Sequence, residues 1–452
     1  MSWIVVSIFA LLLVVFAREN KYDPTTLVFP PFLHVWVQKA TATHLKLYTK
    51  NQVEVRDPQG VAAVRLDSWE DAKRPEDDDE LTVYGVNGAY DMIIYNTSMS
   101  ALSFYGINAR GEKRLRQPHG IAAHHGGDVY VADTGNHRVV HLYNSGRELQ
   151  FVCALTGLNA PHGVAVDEDR TVYVADTGNN RIVIFRDDQF VRVLVDSEAV
   201  QRPTAVAVSA AAEPWSYFHE NSVVVVDQAR QRIQKFSVEG KAMHSWQTKG
   251  LGRDEMELGY LALDYYDNVY VTDRAQHCIH KLDRQLNYLA AFGRKGKGEK
   301  EFYEPRGIAI YKRFGQVIVA ERASVQYYWV GTDVFDFKAG RAAVPSLLQL
   351  DYFLTEASYI QIEIFDGRKN LLATPCRQTL RFAGTQREVV DGDWRIVPIA
   401  GAQGGGLSPT RQLTPVKAGG YLVRLTIKPT YSSYKNFEKS VEVSISFGDS
   451  QN

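Results

Sequence analysis

The sequence predicts an all-β chain, a six-bladed β-propeller followed by a β-sandwich. Three observations predict it. Residues 118–142 and 161–185 are nearly the same segment written twice, 43 residues apart, and a fixed period of that length marks a repeat architecture. Short apolar runs alternate with turn residues such as His124-His125-Gly126-Gly127-Asp128, the pattern of antiparallel strands joined by tight hairpins. The 24 Tyr, 20 Phe and 7 Trp, beside abundant Val and Ile, favour strands over helices.

Composition bounds the function classes. With 51 Lys+Arg against 52 Asp+Glu the net charge is −1, so no basic excess is present to neutralise a phosphate backbone, and nucleic acid is not an expected partner. Residues 3–16 are apolar except for Ser7, and the first charge is Arg18. The run suits the hydrophobic region of a secretory signal and is short for a membrane span. Residues 1–17 are therefore expected to be a signal peptide with cleavage after Ala17, or else a retained anchor. The expected location is secreted, periplasmic or in the cell envelope, with membrane contact only through that segment. Cys153, Cys278 and Cys376 lie far apart with no CxxC spacing, so neither a disulfide framework nor a cysteine-rich zinc site is indicated.

The repeat organises residues 58–331. Pro118-His119-Gly120 leads into Ile-Ala-Ala, then Val-Tyr-Val-Ala-Asp133-Thr-Gly135-Asn136-His-Arg138. Pro161-His162-Gly163 and Asp176-Thr-Gly178-Asn179-Asn-Arg181 repeat it. Weaker copies begin at Pro58, Pro203 and Pro305, with another around residues 261–264. The residue ending the second strand gives the series Asn87, Asp133, Asp176, Asp227, Asp273 and Glu321, spaced 43 to 51 residues apart. Six units of about four strands result. Insertions at 66–81 and 209–221 interrupt the first and fourth.

Pro-x-Gly-[Ile/Val]-Ala followed by Val-Tyr-Val-[Ala/Thr]-Asp-Thr-Gly-Asn-x-Arg resembles the NHL repeat family. The stretch from Phe292 through Phe302 to Gly307 is similar to its inter-repeat linker. The resemblance implies a six-bladed propeller serving as a platform for other macromolecules. A ring must close or leave an unpaired edge. Residues 34–55 alternate apolar and polar side chains, so they are expected to supply the closing strands by pairing near residues 327–330; a seventh blade is the alternative.

Within a propeller domain at 30–338, the repeats end after Val330, and a Gly/Ala-containing passage at 338–345 reads as the connection to a second domain at 346–448. Short alternating strands there suit an antiparallel sandwich. Tyr352-Phe-Leu-Thr-Glu-Ala-Ser, Ile364-Phe-Asp-Gly, Trp394 and Gly419-Gly-Tyr-Leu-Val-Arg-Leu resemble the immunoglobulin-like domain of the flagellar-hook-cap type. The long loop at 396–416 departs from the compact spacing of that module.

Chemistry is expected where first strands line a central channel. The residue after each proline, or its counterpart, is Gln59, His119, His162, Thr204, Gly259 and Arg306. His119 and His162 are the candidate metal ligands, but the series offers neither a third His nor a carboxylate, so no cofactor is expected. The recurrent Asp–Arg pairs five residues apart read as blade structure, because a catalytic group is needed once per ring rather than once per blade. Arg294, Lys295 and Lys297 lie on a basic loop diluted by Glu299 and Glu301. They are candidate binding residues for a protein or cell-surface polymer, although the loop itself reads as a solvated linker. Residues 70–80 read as an acidic insertion, His124-His125 as turn surface, and Asn96-Thr97-Ser98 as a glycosylation sequon meaningful only in a eukaryotic secretory host. The expected function is an exported, non-catalytic binding or scaffold protein. The alternatives are a metal-assisted lyase or hydrolase of the peptidyl-amidoglycolate-lyase kind, which are also six-bladed NHL-like propellers, and a subunit of an extracellular assembly.

Overall fold

A computed structural model describes residues 24–30, 38–69, 81–98, 101–146, 148–251, 256–342, 347–398 and 413–448; the apolar run at 3–16 and the acidic run at 70–80 lie outside them. No described helix is long and apolar enough to cross a membrane. The described residues form two compact units, one within 29–329 and one comprising 24–28 with residues from Val330 onward.

The first unit is mainly a succession of antiparallel sheets, five of them built from four strands consecutive in sequence. The first sheet holds Pro58–Val64, Thr82–Asn87, Met92–Ser98 and Ala101–Tyr105. The second holds Pro118–Ala123, Asp128–Asp133, Arg138–Asn144 and Leu149–Leu155, and the third Gly163–Val166, Val172–Asp176, Arg181–Arg186 and Gln189–Val195. The fourth and fifth begin with Pro203–Ser209 and Leu258–Leu263. The sixth contains Ile308–Tyr311, Gln316–Ala320 and Ser324–Val330. The first strand of every sheet packs against the first strand of the next, and Ile308–Tyr311 packs back on Pro58–Val64, so these strands close a circle.

The Pro-x-Gly element explains how close that approach is. A Cβ on Gly120 would lie 2.5 Å from the His162 carbonyl oxygen, and one on Gly60 2.7 Å from that of His119. The Gly307 position meets the Gln59 carbonyl in the same way, which carries the contact across the seam. With no side chain in the way, the Gly120 N–H reaches the His162 carbonyl at 2.8 Å, a hydrogen bond from one sheet to the next.

The acidic series also has a fixed task. Asp133, Asp176 and Asp227 are fully buried. One oxygen of each accepts the backbone N–H of the segment entering its own sheet, from Arg116 at 2.6 Å, Asn159 at 2.7 Å and Gln201 at 2.8 Å. The other takes the guanidinium of Arg138, Arg181 or Arg232 at 2.7, 2.7 and 2.8 Å. Asn87 and Glu321 accept the N–H of Arg56 and Tyr303 likewise. A buried carboxylate is tolerated because every lone pair that faces the interior has a donor.

Closure follows the expectation for 34–55 in part. Among the described residues of that range Lys39–Thr41 is the strand, pairing with 324–326; the Tyr327 N–H donates to the Gln38 carbonyl at 2.9 Å, and Lys39 reaches the buried Glu321 carboxylate at 3.2 Å. Ala42–Tyr48 is a helix, begun where the Thr41 backbone N–H donates to the His44 ring at 3.3 Å. The apparent alternation of Leu45 and Leu47 is not that of a half-buried strand, since Leu47 is 68% exposed. Residues 31–37 lie outside the described set.

The second unit has a three-stranded sheet, Val334–Arg341, Leu348–Leu354 and Gly384–Val390, and a four-stranded sheet, Leu371–Arg381, Ser358–Asp366, Gly419–Pro429 and Lys439–Phe447. Alternate residues of both, including Leu350, Tyr352, Ile360, Ile362, Val423 and Leu425, share one apolar core. The passage expected to connect the domains is partly strand. Val334, Phe337 and Ala339 pack into that core, so the second unit begins at Val330 rather than near 346. Of the loop at 396–416, residues 399–412 lie outside the described set.

Candidate functional site

The first strands carry polar groups at both ends. At their beginnings stand Gln59, His119, His162, Thr204 and Arg306, as the spacing predicts. The fifth place differs, because Gly259 has no side chain and its neighbour Tyr260 occupies the site instead. The His119 and His162 rings lie 4.1 Å apart, and Tyr260 stacks on His162 at 5.8 Å. His119 Nδ1 is 3.0 Å from the Gln117 carbonyl and His162 Nδ1 is 3.0 Å from that of Thr204, so Nδ1–H donates and each Nε2 keeps its lone pair.

Burial pushes both imidazoles below their usual pKa, and the Arg306 and Arg274 guanidiniums push His119 the same way. For His162, burial and the neighbouring His119 bring the value to about 3. Both rings are neutral at physiological pH. Arg306 pairs with Asp57 and sits 3.5 Å from Glu304, while Gln59 donates to Asp57 at 3.0 Å. The Tyr260 hydroxyl, Thr204 Oγ1, Arg306 Nε and Arg274 Nε are buried without a hydrogen-bond partner.

At the far ends of the same strands lies a cavity of about 490 Å³. Its walls come from residues 63–65 and 67, 123–125, 166–168, 208, 210, 213–215 and 310–313. His124 and His125 belong here, which corrects their reading as turn surface: His124 is buried, and both rings face the cavity. The His125 ring lies between two carboxylates, with Nδ1 2.8 Å from Asp67 and Nε2 2.8 Å from Glu168. Burial opposes charging this ring, but the two carboxylates outweigh it and raise its pKa. His124 is lowered by burial and by His125. The insertion of the fourth unit supplies Glu213, paired to Lys312 at 2.6 Å, and Trp215, which lies 4.7 Å beneath the Arg313 guanidinium. That insertion was the only local signal for this wall; the sequence could not show which turns it would meet.

Two groups of at least three potential metal ligands occur among the described residues, and neither includes His119 or His162. In the first, His124, His125 and Glu168, the His124 ring is already committed on both sides. Gly126 N–H donates to its Nδ1 at 3.0 Å, which leaves the proton on Nε2, 3.2 Å from the Glu168 carbonyl. With Asp67 of the first sheet, this group is a polar latch across three sheets. The second group is His141, Cys153 and Asp188.

Other expected residues lie elsewhere. Arg294 and Lys295 form a two-residue strand paired with Glu301–Phe302, and Arg294 reaches Glu301 at 3.0 Å; Lys297 follows in the same loop. The Asn96 amide is engaged with backbone, accepting the Val83 N–H at 2.6 Å and donating to the Leu81 carbonyl at 2.9 Å. All three cysteines are free.

No curated protein matches the chain. Among solved structures it is similar to virginiamycin B lyase from Staphylococcus aureus, at 12% identity over 55% of this chain and 76% of that one, with a TM-score of 0.41. It is also similar to a protein of unknown function from Bacteroides thetaiotaomicron, at 16% identity over 62% and 70% of the two chains, with a TM-score of 0.46. Hydrazine synthase from Kuenenia stuttgartiensis matches at 12% identity over 56% and 93%, with a TM-score of 0.39. Likenesses of this strength carry no inference about activity. Residues 115–142 and 158–185, the two segments whose acids and glycines hold the second and third sheets, match the NHL repeat family.

Proposed function

We propose that the chain is an exported, non-catalytic binding protein: a six-bladed NHL-type propeller followed by an immunoglobulin-like sandwich of the flagellar-hook-cap kind. It would receive part of a protein or cell-surface polymer at one end of the ring. The observation that carries this reading is the 490 Å³ cavity with Trp215 and Arg313 stacked beside it. Trp and Arg are the residue types that concentrate binding energy at interfaces, and here they stand over charged groups of both signs. Rigid sheets would hold these turns, and the second domain would dock the protein to an envelope structure.

The test uses the full chain immobilised and exposed to envelope and culture fractions. Trp215 is 38% exposed, so its replacement leaves the sheets intact. Retention of one defined partner by the wild type, lost in Trp215→Ala and Arg313→Glu, supports the reading. Retention unchanged in both variants, or absent from the wild type, overturns it.

The axial ring favours a second reading, a metal-assisted lyase or hydrolase. Two neutral imidazoles with free Nε2 atoms stand beside the unpartnered Tyr260 hydroxyl and Arg306 Nε. Stoichiometric metal lost in His119→Ala and His162→Ala would favour it over simple binding.

A further inference from the structure

The outer part of the second sheet holds a cluster that neither reading uses. Cys153 pairs directly with His141 across adjacent antiparallel strands, so both side chains stand on one face. The two-residue turn Asp187-Asp188 of the third sheet, closed by Arg186 pairing with Gln189, brings in a third group. Both turn residues have left-handed backbone, φ 50° and 60°, as that tight hairpin requires. The Asp188 carboxylate lies 3.0 Å from His141 Nδ1. On the opposite side of the imidazole, Nε2 faces Asp128 at 3.1 Å, and Asp128 is balanced by Arg170 at 3.2 Å. Tyr130 stacks on the ring at 4.5 Å and fixes its plane.

We propose that His141 Nδ1, Cys153 Sγ and the Asp188 carboxylate form a site for one zinc-type divalent ion. Their ligand atoms all lie within 4.8 Å of one another. Imidazole, thiolate and carboxylate are zinc's usual protein ligands, and three of them leave a fourth tetrahedral position for water. Asp128 acts as a positioning residue: by accepting Nε2–H it turns the Nδ1 lone pair towards the ion, the carboxylate–histidine–metal arrangement. The ligand set carries two negative charges once the thiol ionises, which match the ion. On binding, the thiol proton and the proton shared between His141 Nδ1 and Asp188 leave to water, and Zn–S, Zn–N and Zn–O bonds form; nothing is oxidised or reduced.

The experiment titrates the metal-free full chain with Co(II) and with Zn(II), following absorbance and bound metal. One equivalent with a thiolate-to-cobalt charge-transfer band is expected. Cys153→Ala should abolish the band, and Asp188→Asn should weaken affinity by about 10- to 100-fold. Cys278→Ala, in the fifth sheet, should change neither. Asp188 sits on a hairpin turn, so its variant keeps the proposal testable even if Cys153→Ala fails to fold. Absence of stoichiometric metal, a band that survives Cys153→Ala, or unchanged affinity in Asp188→Asn overturns the assignment.

Discussion

His280 Nε2 lies 3.2 Å from the fully buried Asp273 carboxylate, at the place where the second, third and fourth sheets carry an arginine. Residue 278, five positions after the acid, is Cys in this sheet, so the cation reaches back from two residues further along. Burial opposes charging this imidazole, but Cys278 and Asp273 outweigh it and raise its pKa to about 9. The substitution turns a permanent charge into a titratable one.

Stability should therefore fall on the alkaline side. A ring that binds its proton more tightly when folded contributes fully below its unfolded value of 6.5, and that contribution is lost as pH rises through about 9. The effect is on the order of 1–3 kcal/mol. Denaturant midpoints between pH 6 and 10 should decline in the wild type, and His280→Gln should flatten the slope. Parallel slopes in the two proteins would exclude the pair as its cause.

His162 contributes to the acid limb. Burial and His119 hold its folded value at about 3 against an unfolded 6.5. The unfolded chain binds the proton first, so this contribution is present above pH 6.5 and lost as pH falls towards 3. His162→Asn should reduce the drop in melting temperature between pH 7 and 4; an unchanged drop would place the acid sensitivity elsewhere.

Asp176→Ala should cost about 3–5 kcal/mol, because it leaves the Arg181 guanidinium and the Asn159 N–H without their buried acceptor. Urea denaturation measures this. A loss below about 1 kcal/mol, the size expected of an exposed ion pair, would show that the pair is not structural.

Gly120→Ala should lower stability by about 1–3 kcal/mol, since its new methyl meets the His162 carbonyl oxygen at 2.5 Å and backbone on both sides must separate. Gly340, in the second unit, has nothing within 4 Å of its Cβ position, so Gly340→Ala serves as the control. Equal melting temperatures for the two variants would contradict the close inter-sheet approach.

Local sequence determined the sheets themselves. The Val-Tyr-Val-Ala-Asp runs, the turns between them and the Pro-x-Gly entries each act within about forty residues, and the repeat shows them several times. The Asp–Arg pairs were legible as structure for that reason. For residues 42–48 the short alternating run satisfies strand and helix patterns equally, and the Thr41–His44 contact at the helix start is invisible in it. Tertiary structure alone decided the sites. His125 meets Asp67 and Glu168, and Cys153 meets Asp188, only after separate sheets have packed side by side. Spacing along the chain fixes which face of a strand a residue occupies, but distances between hairpins of different sheets depend on how the ring closes, which no local pattern encodes.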